Sequence, residues 1–190
     1  MRRILVLAMA VLVAAGVMAP APAATAPTAP YCGITWGSLA KTSPLTTSAP
    51  ITNLRAGRHE CFDRLVFDLG APAVPFPGQG VGFDVRYVPV VIQDGSGEPI
   101  PLAGGAFLQV NVHANAYDAN TGAPTYTPAD RTRAVNVTGF ATFRQVYFAG
   151  SFEGTTTVGL GVRARLPFRV FTLAGPGTGT RLVIDVAHRW

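Results

Sequence analysis

Histidine, lysine and cysteine are all scarce in this chain, and each scarcity removes a class of function. The three histidines are His59, His113 and His188, and no H-E-x-x-H, paired-His or Cys/His spacing is present to hold a metal. The single lysine, Lys41, belongs to no G-x-x-x-x-G-K phosphate loop. No apolar run reaches the roughly 20 residues that a transmembrane helix needs. The longest, Ile4–Val17, is broken by Gly16. Charge is also sparse: 13% of residues are charged, while glycine (21) and proline (16) are abundant. That balance suits a compact, turn-rich β protein better than a helical one.

What is present begins with an export signal. Arg2-Arg3 precedes the short apolar run, and Pro20-Ala21-Pro22-Ala23 supplies small residues for cleavage. Residues 1–23 are therefore expected to be a signal peptide. No cysteine follows the run directly, so no lipid anchor is expected, and the remaining chain should be soluble outside the cytoplasm. Without Arg2 and Arg3 the 15 basic residues become 13 against 10 acidic ones, a net charge of +3 rather than +5. Such a charge does not by itself imply nucleic acid. Cys32 and Cys61 form an isolated pair, which in an oxidising compartment is most simply a disulfide.

Residues 24–50 contain two Ala/Pro/Thr-rich tracts, 24–30 and 42–50, and read as a flexible N-terminal segment that includes Cys32. From residue 51 to 190 β-rich runs alternate with turn signals. The expected strands are Ile51–Arg55, Phe62–Leu69, Phe83–Ile92, Ala106–His113, Phe140–Phe148, Val158–Leu173 and Arg181–Ala187. Breakers separate them: three prolines in 70–82, Asp94-Gly95-Ser96-Gly97, a polar loop over 115–130, and Gly175-Pro176-Gly177-Thr178-Gly179. Seven or eight short strands punctuated in this way predict one all-β domain, a sandwich or a barrel. Arg64–Leu69 and Arg181–Val186 repeat the pattern R-L-V-x-D-(aliphatic). Equal in/out codes are expected where two similar sheet halves face each other.

Catalytic patterns are thin. Gly150-Ser151-Phe152-Glu153-Gly154 is not a nucleophile elbow, and Gly159-x-Gly161-x-x-Ala164 lies within a β-rich run with no helix N-terminus to receive a pyrophosphate. His59 and His188 are expected to be exposed or turn histidines. Asp68 and Asp185 could act as paired carboxylates only if the two repeats face each other. The best binding candidate is a row formed by Arg163, Arg165 and Arg169, alternating with apolar Val162, Ala164, Leu166, Phe168 and Val170. Guanidinium groups at period two suit carboxylate or phosphate recognition. The competing reading pairs those arginines with acids such as Asp63, Glu153 or Asp185, on a charged edge strand interrupted by Pro167.

Several separate patches resemble one family. Leu54–Leu69, with Arg58-His59-Glu60-Cys61-Phe62-Asp63-Arg64, resembles the opening of AMIN and AMIN-like domains, and Leu166–Leu173 followed by Arg181–His188 resembles their end. Cys32–Ser38 and Gly150–Gly154 are similar to the AMIN-like branch of secreted proteins and lipoproteins in actinobacteria. The resemblance runs from about Cys32 to His188. It implies a β-sandwich of two similar sheets and a non-catalytic role at the cell envelope, through peptidoglycan or a protein partner. It transfers no site residues.

The expectation is thus a secreted, non-catalytic module, cell-wall associated, with no cofactor and no metal. Its partner should be peptidoglycan, another anionic wall polymer, or an envelope protein, rather than nucleic acid. A wall-acting hydrolase and an adhesion protein working through its sheet edges are the alternatives.

Overall fold

The strand alternation seen in the sequence becomes two packed sheets. The computed structural model describes residues 29–72 and 80–190; the expected signal peptide, residues 1–23, lies outside them. The strands are β1 (Lys41–Ser43), β2 (Ile51–Arg58), β3 (Phe62–Leu69), β4 (Phe83–Val88), β5 (Val91–Ile92), β6 (Pro99–Ile100), β7 (Ala106–Val112), β8 (Phe143–Phe152), β9 (Thr155–Val162), β10 (Phe168–Ala174) and β11 (Thr180–Ala187). One sheet has the order β1-β4-β7-β9-β8 and the other β10-β11-β3-β2, all pairs antiparallel. The fold is an all-β sandwich, as the sequence predicts.

The inner faces carry the core. Leu65, Phe67, Leu182, Ile184 and Val186 of the four-stranded sheet meet Val85, Leu108, Val110, Val146, Val158 and Leu160 of the five-stranded one. All are buried, so truncating one, such as Leu65→Ala, costs about 2–5 kcal/mol. A smaller cluster of Val91, Ile100 and Ala149 lies apart from this core, where the β5–β6 hairpin brings Leu102 and Ala103 over the five-stranded sheet. The Gly159/Gly161 pair exists for that crossing. A Cβ at Gly161 would lie 2.0 Å from the Ala103 carbonyl oxygen, and one at Gly159 would lie 2.8 Å from Leu102. The glycines admit a crossing segment, not a dinucleotide.

Three expectations need correction. The run Val158–Leu173 is not one strand: β9 ends at Val162, and residues 163–167 carry the chain to β10 in the other sheet. The run Phe83–Ile92 is likewise split, with Pro89 between β4 and β5. Lys41–Ser43, where the sequence indicated flexible segment or loop, forms an edge strand against β4.

The internal repeat has a different meaning from the one expected. Its two copies do not face each other across the core. They are antiparallel neighbours, β3 and β11, in register about Val66 and Val183. That register sets Arg64 opposite Asp185 and Asp68 opposite Arg181, so the R-L-V-x-D pattern is complementary to itself when paired antiparallel. One of the two cross-strand pairs forms: Arg64 Nε and Nη2 donate to Asp185 at 2.7 and 2.9 Å. In the other, Asp68 is taken by Arg55, and Arg181 donates instead to the Ala174 carbonyl. Leu65 and Leu182 both point to the core, and Val66 and Val183 are both buried on the opposite face.

Candidate functional site

Antiparallel connectivity decides which turns share an end of the sandwich. The β2–β3 turn, the residues entering β8, the 163–167 connection and the segment after β11 all emerge at one end. Hydrogen bonds knit them together. Asp63, fully buried, accepts from the Thr142 and Phe143 amides, and His188 N donates to Cys61 O at 2.9 Å. Arg163 N donates to Thr142 O, Ala187 N to Pro167 O, and Trp190 Nε1 to Arg165 O.

Five exposed arginines gather here: Arg58, Arg144, Arg163, Arg165 and Arg189. Among the described residues none of them has a carboxylate within ion-pairing distance. Arg163 donates to the His188 carbonyl, and Arg165 donates to Ser38 O and lies 4.9 Å over the Tyr87 ring. Arg144 donates to the carbonyls of Phe140, Ala141 and Phe143, and Arg189 stacks 4.6 Å over Tyr31. One exposed acid, Glu60, lies on the same turn as Arg58. Asp63 also lies at this end but is fully buried and turned to the Thr142 and Phe143 amides. The turn bearing Asp94 packs its Gly95 against Phe152, and Glu153 closes the β8–β9 hairpin at the opposite end. Exposed arginines without a carboxylate partner also stand at Arg131 and Arg133, and the five at this end are the larger group among the described residues.

The row of three arginines expected from the sequence is dispersed by the strand break. Arg163 and Arg165 sit on the connection, exposed, while Val162, Leu166 and Phe168 are buried and Ala164 is half-buried. Arg169 lies on β10 opposite Asp185, and its side chain is 32% exposed. It binds Asp185 at 2.7 Å from Nη2 and 2.8 Å from Nε. Asp185 is itself fully buried and also holds Arg64. Around this Arg–Asp–Arg triad stand Trp36, Phe62 and Phe171, with Arg169 4.9–5.5 Å over all three rings. The bond between Cys32 and Cys61, with Cα atoms 6.4 Å apart, ties down the segment that carries Trp36, whose ring lies 6.0 Å from Phe62.

Tyr87 braces the 163–167 connection from beneath. Its hydroxyl donates to Leu166 O at 2.7 Å and accepts from Leu166 N at 3.0 Å. Burial pushes the phenol up to about 12, against the opposing pull of the Leu166 hydrogen bond and the Arg165 charge.

The two constellations that could suggest catalysis are otherwise engaged. His188 Nε2 lies 3.2 Å from Asp63 and Nδ1 faces the Glu60 carbonyl at 3.1 Å, so both ring nitrogens face acceptors of the protein. Asp68 and Asp185 stand four register positions apart, roughly 14 Å at about 3.4 Å per residue. Each is held by arginine. Among the described residues no group of three or more His, Cys, Asp or Glu could hold a metal, and no helix is long and apolar enough to cross a membrane.

The exposed arginines outside the expected row, Arg58, Arg144 and Arg189, were missed because only the topology brings their turns together. The disulfide and the family fit an extracytoplasmic protein. A search of curated proteins found no match. The AMIN-like domain family matches residues 49–188, which leaves Trp36 and Cys32 outside the matched span, and with most of its length covered the chain belongs to the AMIN-like domain family.

Proposed function

We propose that this protein is a secreted, non-catalytic module that binds an anionic polymer of the cell envelope through its basic end. Peptidoglycan carrying acidic groups, or another anionic wall polymer, is the ligand class. The observation that carries the reading is the set of five exposed arginines without a carboxylate partner. Arginines bound only to backbone carbonyls and rings keep their charge available to an incoming carboxylate or phosphate. Arg163 and Arg165 belong to this surface. Arg169 contributes indirectly, since its charge is shared with Asp185 while it fixes the aromatic wall of Trp36, Phe62 and Phe171. The non-catalytic part of the reading is supported by the engagement of His188, Asp68 and Asp185 with structural partners.

Co-sedimentation of the mature domain with purified cell wall tests this, using intact wall and wall stripped of its anionic polymers. Binding should be lost with the stripped wall and should weaken between low salt and 0.5 M salt, because exposed charge attraction is screened beyond roughly 10 Å at 0.1 M. Equal binding to both preparations at all salt concentrations would remove the polymer from consideration and favour an envelope protein as the partner.

A further inference from the structure

A groove runs beside β8, starting at the basic end. It is an open trough of about 730 Å³ lined by Arg133, Val135–Phe140, Phe143–Val146 and Ala103. β8 is the outer strand of its sheet, and the chain 131–134 runs along it: Ala134 N donates to Val146 O, and Gln145 Nε2 donates to Thr132 O. Beyond Ala134 that pairing is not continued, and residues 135–140 form the far wall of the trough.

The lining is rich in unengaged donors and contains no acid. Arg133 is exposed and makes no side-chain hydrogen bond or salt bridge among the described residues, although its charge acts on Asp130, three residues earlier, whose carboxylate accepts from the Thr132 amide and hydroxyl. Asn136 uses its oxygen on the Thr138 amide, and among the described residues its NH₂ group and the Thr138 hydroxyl have no side-chain hydrogen-bond partner. Arg144 sits where the β8–β9 register skips a residue between Phe143 and Gln145. A bulge of this kind re-aims one side chain out of the strand alternation. Phe140, half-buried and stacked on Phe143 at 5.8 Å, gives the trough an apolar surface beside the two guanidinium groups.

We propose that this trough is the subsite that selects the ligand, taking a polyol chain that carries one carboxylate or phosphate per unit. The proposal rests on the reading of the basic end as a polymer-binding surface and specifies which unit is recognised. The groove is open along β8 rather than enclosed, so a chain longer than one unit can lie in it. The free donors match hydroxyl and oxyanion acceptors, and the phenyl surface matches the apolar face of a sugar ring. The absence of acid in the lining gives the specificity, because a neutral glycan offers Arg133 and Arg144 only hydroxyl acceptors and no opposite charge.

The test uses three soluble probes on the mature protein: a galacturonic acid oligomer, a glycerol phosphate oligomer and a neutral chitin oligomer. Titration calorimetry, with amide chemical shifts followed by NMR, should find binding to one or both anionic probes and none to the neutral one. Shifts should centre on residues 133–146, and the anionic probe bound more tightly identifies the acid group. Arg133→Ala should weaken binding at least tenfold with an unchanged melting temperature. Arg144→Gln, which also frees three carbonyls, serves as the second variant and should weaken binding similarly. Arg163→Ala/Arg165→Ala should reduce binding to whole wall but leave shifts in the trough in place. If Arg133→Ala and Arg144→Gln bind both oligomers as the wild type does, or if shifts lie only at 163–165 and 189–190, the trough is refuted while the basic-end reading stands. Binding to whole wall with no binding to any oligomer also refutes it. Failure of the wild type to bind even intact wall refutes the underlying reading instead.

Discussion

Asp185 is the group whose removal should hurt this fold most for its size. Asn at position 185 keeps the shape and removes the charge. In the native protein the carboxylate is fully buried and receives three guanidinium hydrogen bonds at 2.7–2.9 Å, two from Arg64 and one from Arg169 Nε, with Arg169 Nη2 in ion-pair contact at 2.7 Å. Asp185→Asn sets two cations side by side with no anion between them and turns amide donors toward guanidinium donors. Breaking a buried pair by losing one partner typically costs about 3–5 kcal/mol. The arginine side chains are 23% and 32% exposed, so they recover some hydration, and the lower end, ~3 kcal/mol, is expected. In a domain of this size 1 kcal/mol corresponds to roughly 2–4 °C, so the melting temperature should fall by roughly 6–12 °C. Thermal melts and urea titrations measure this directly. The emission of Trp36 should shift as well, since Arg169 lies 5.5 Å over that ring while Trp190 is already largely exposed. A triple variant, Asp185→Leu with Arg64→Met and Arg169→Met, should recover most of the lost stability, because an apolar replacement of a whole buried ion cluster is often neutral or better. A cost below 1 kcal/mol for Asp185→Asn, or a triple variant no better than the single, would refute this reasoning.

Three further outcomes follow from the structure. Reducing Cys32–Cys61 opens a closure of 29 residues and should destabilise the protein by about 3–4 kcal/mol, read as a lower melting temperature in dithiothreitol; an unchanged melt would contradict it. Asp63→Ala leaves the Thr142 and Phe143 amides without their acceptor and should cost about 3 kcal/mol or more, again by denaturant titration, whereas a mild effect would mean the end of the sandwich is held by other contacts. Tyr87 has a folded-state pKa raised from 10.0 to about 12, so its contribution is complete below pH 10 and is lost as pH rises from 10 through 12. Tyr87→Phe should flatten that part of the stability profile, and an unaltered slope would show that the phenol is not the group responsible.

The sheet strands were legible where apolar residues recur at every second position. Leu65, Phe67 and Leu69 share one face of β3, and the period is visible in the string itself although Val66 is buried on the other face. Val158–Leu173 misled for the same reason: Val162, Leu166 and Phe168 keep an alternating apolar code across a connection that changes sheets, and every one of them is buried. Period two cannot tell a strand from a loop whose apolar residues plug the sandwich end. Lys41–Ser43 was invisible because three polar residues carry no pattern at all; only the neighbouring β4 makes them a strand. The repeat was seen, but its geometry was not, since a pattern complementary to itself fits a facing pair and an adjacent pair equally well. The site needed topology. Arg163 and Arg165 stood out as sequence neighbours, whereas Arg58, Arg144 and Arg189 join them only because alternate turns of an antiparallel sandwich emerge together.

The central claim is that unpaired arginines at one end of the sandwich bind an anionic envelope polymer. The most direct measurement is wall co-sedimentation and thermal melting on the same Arg163→Ala/Arg165→Ala variant, at 0.05 and 0.5 M salt. Both side chains are exposed and neither pairs with a carboxylate among the described residues, so their loss should change stability by about 1 kcal/mol or less. The account predicts wall binding at low salt reduced severalfold, with the melting temperature nearly unchanged. Undiminished binding together with a clear drop in melting temperature would contradict it, assigning these arginines to the fold rather than to a ligand.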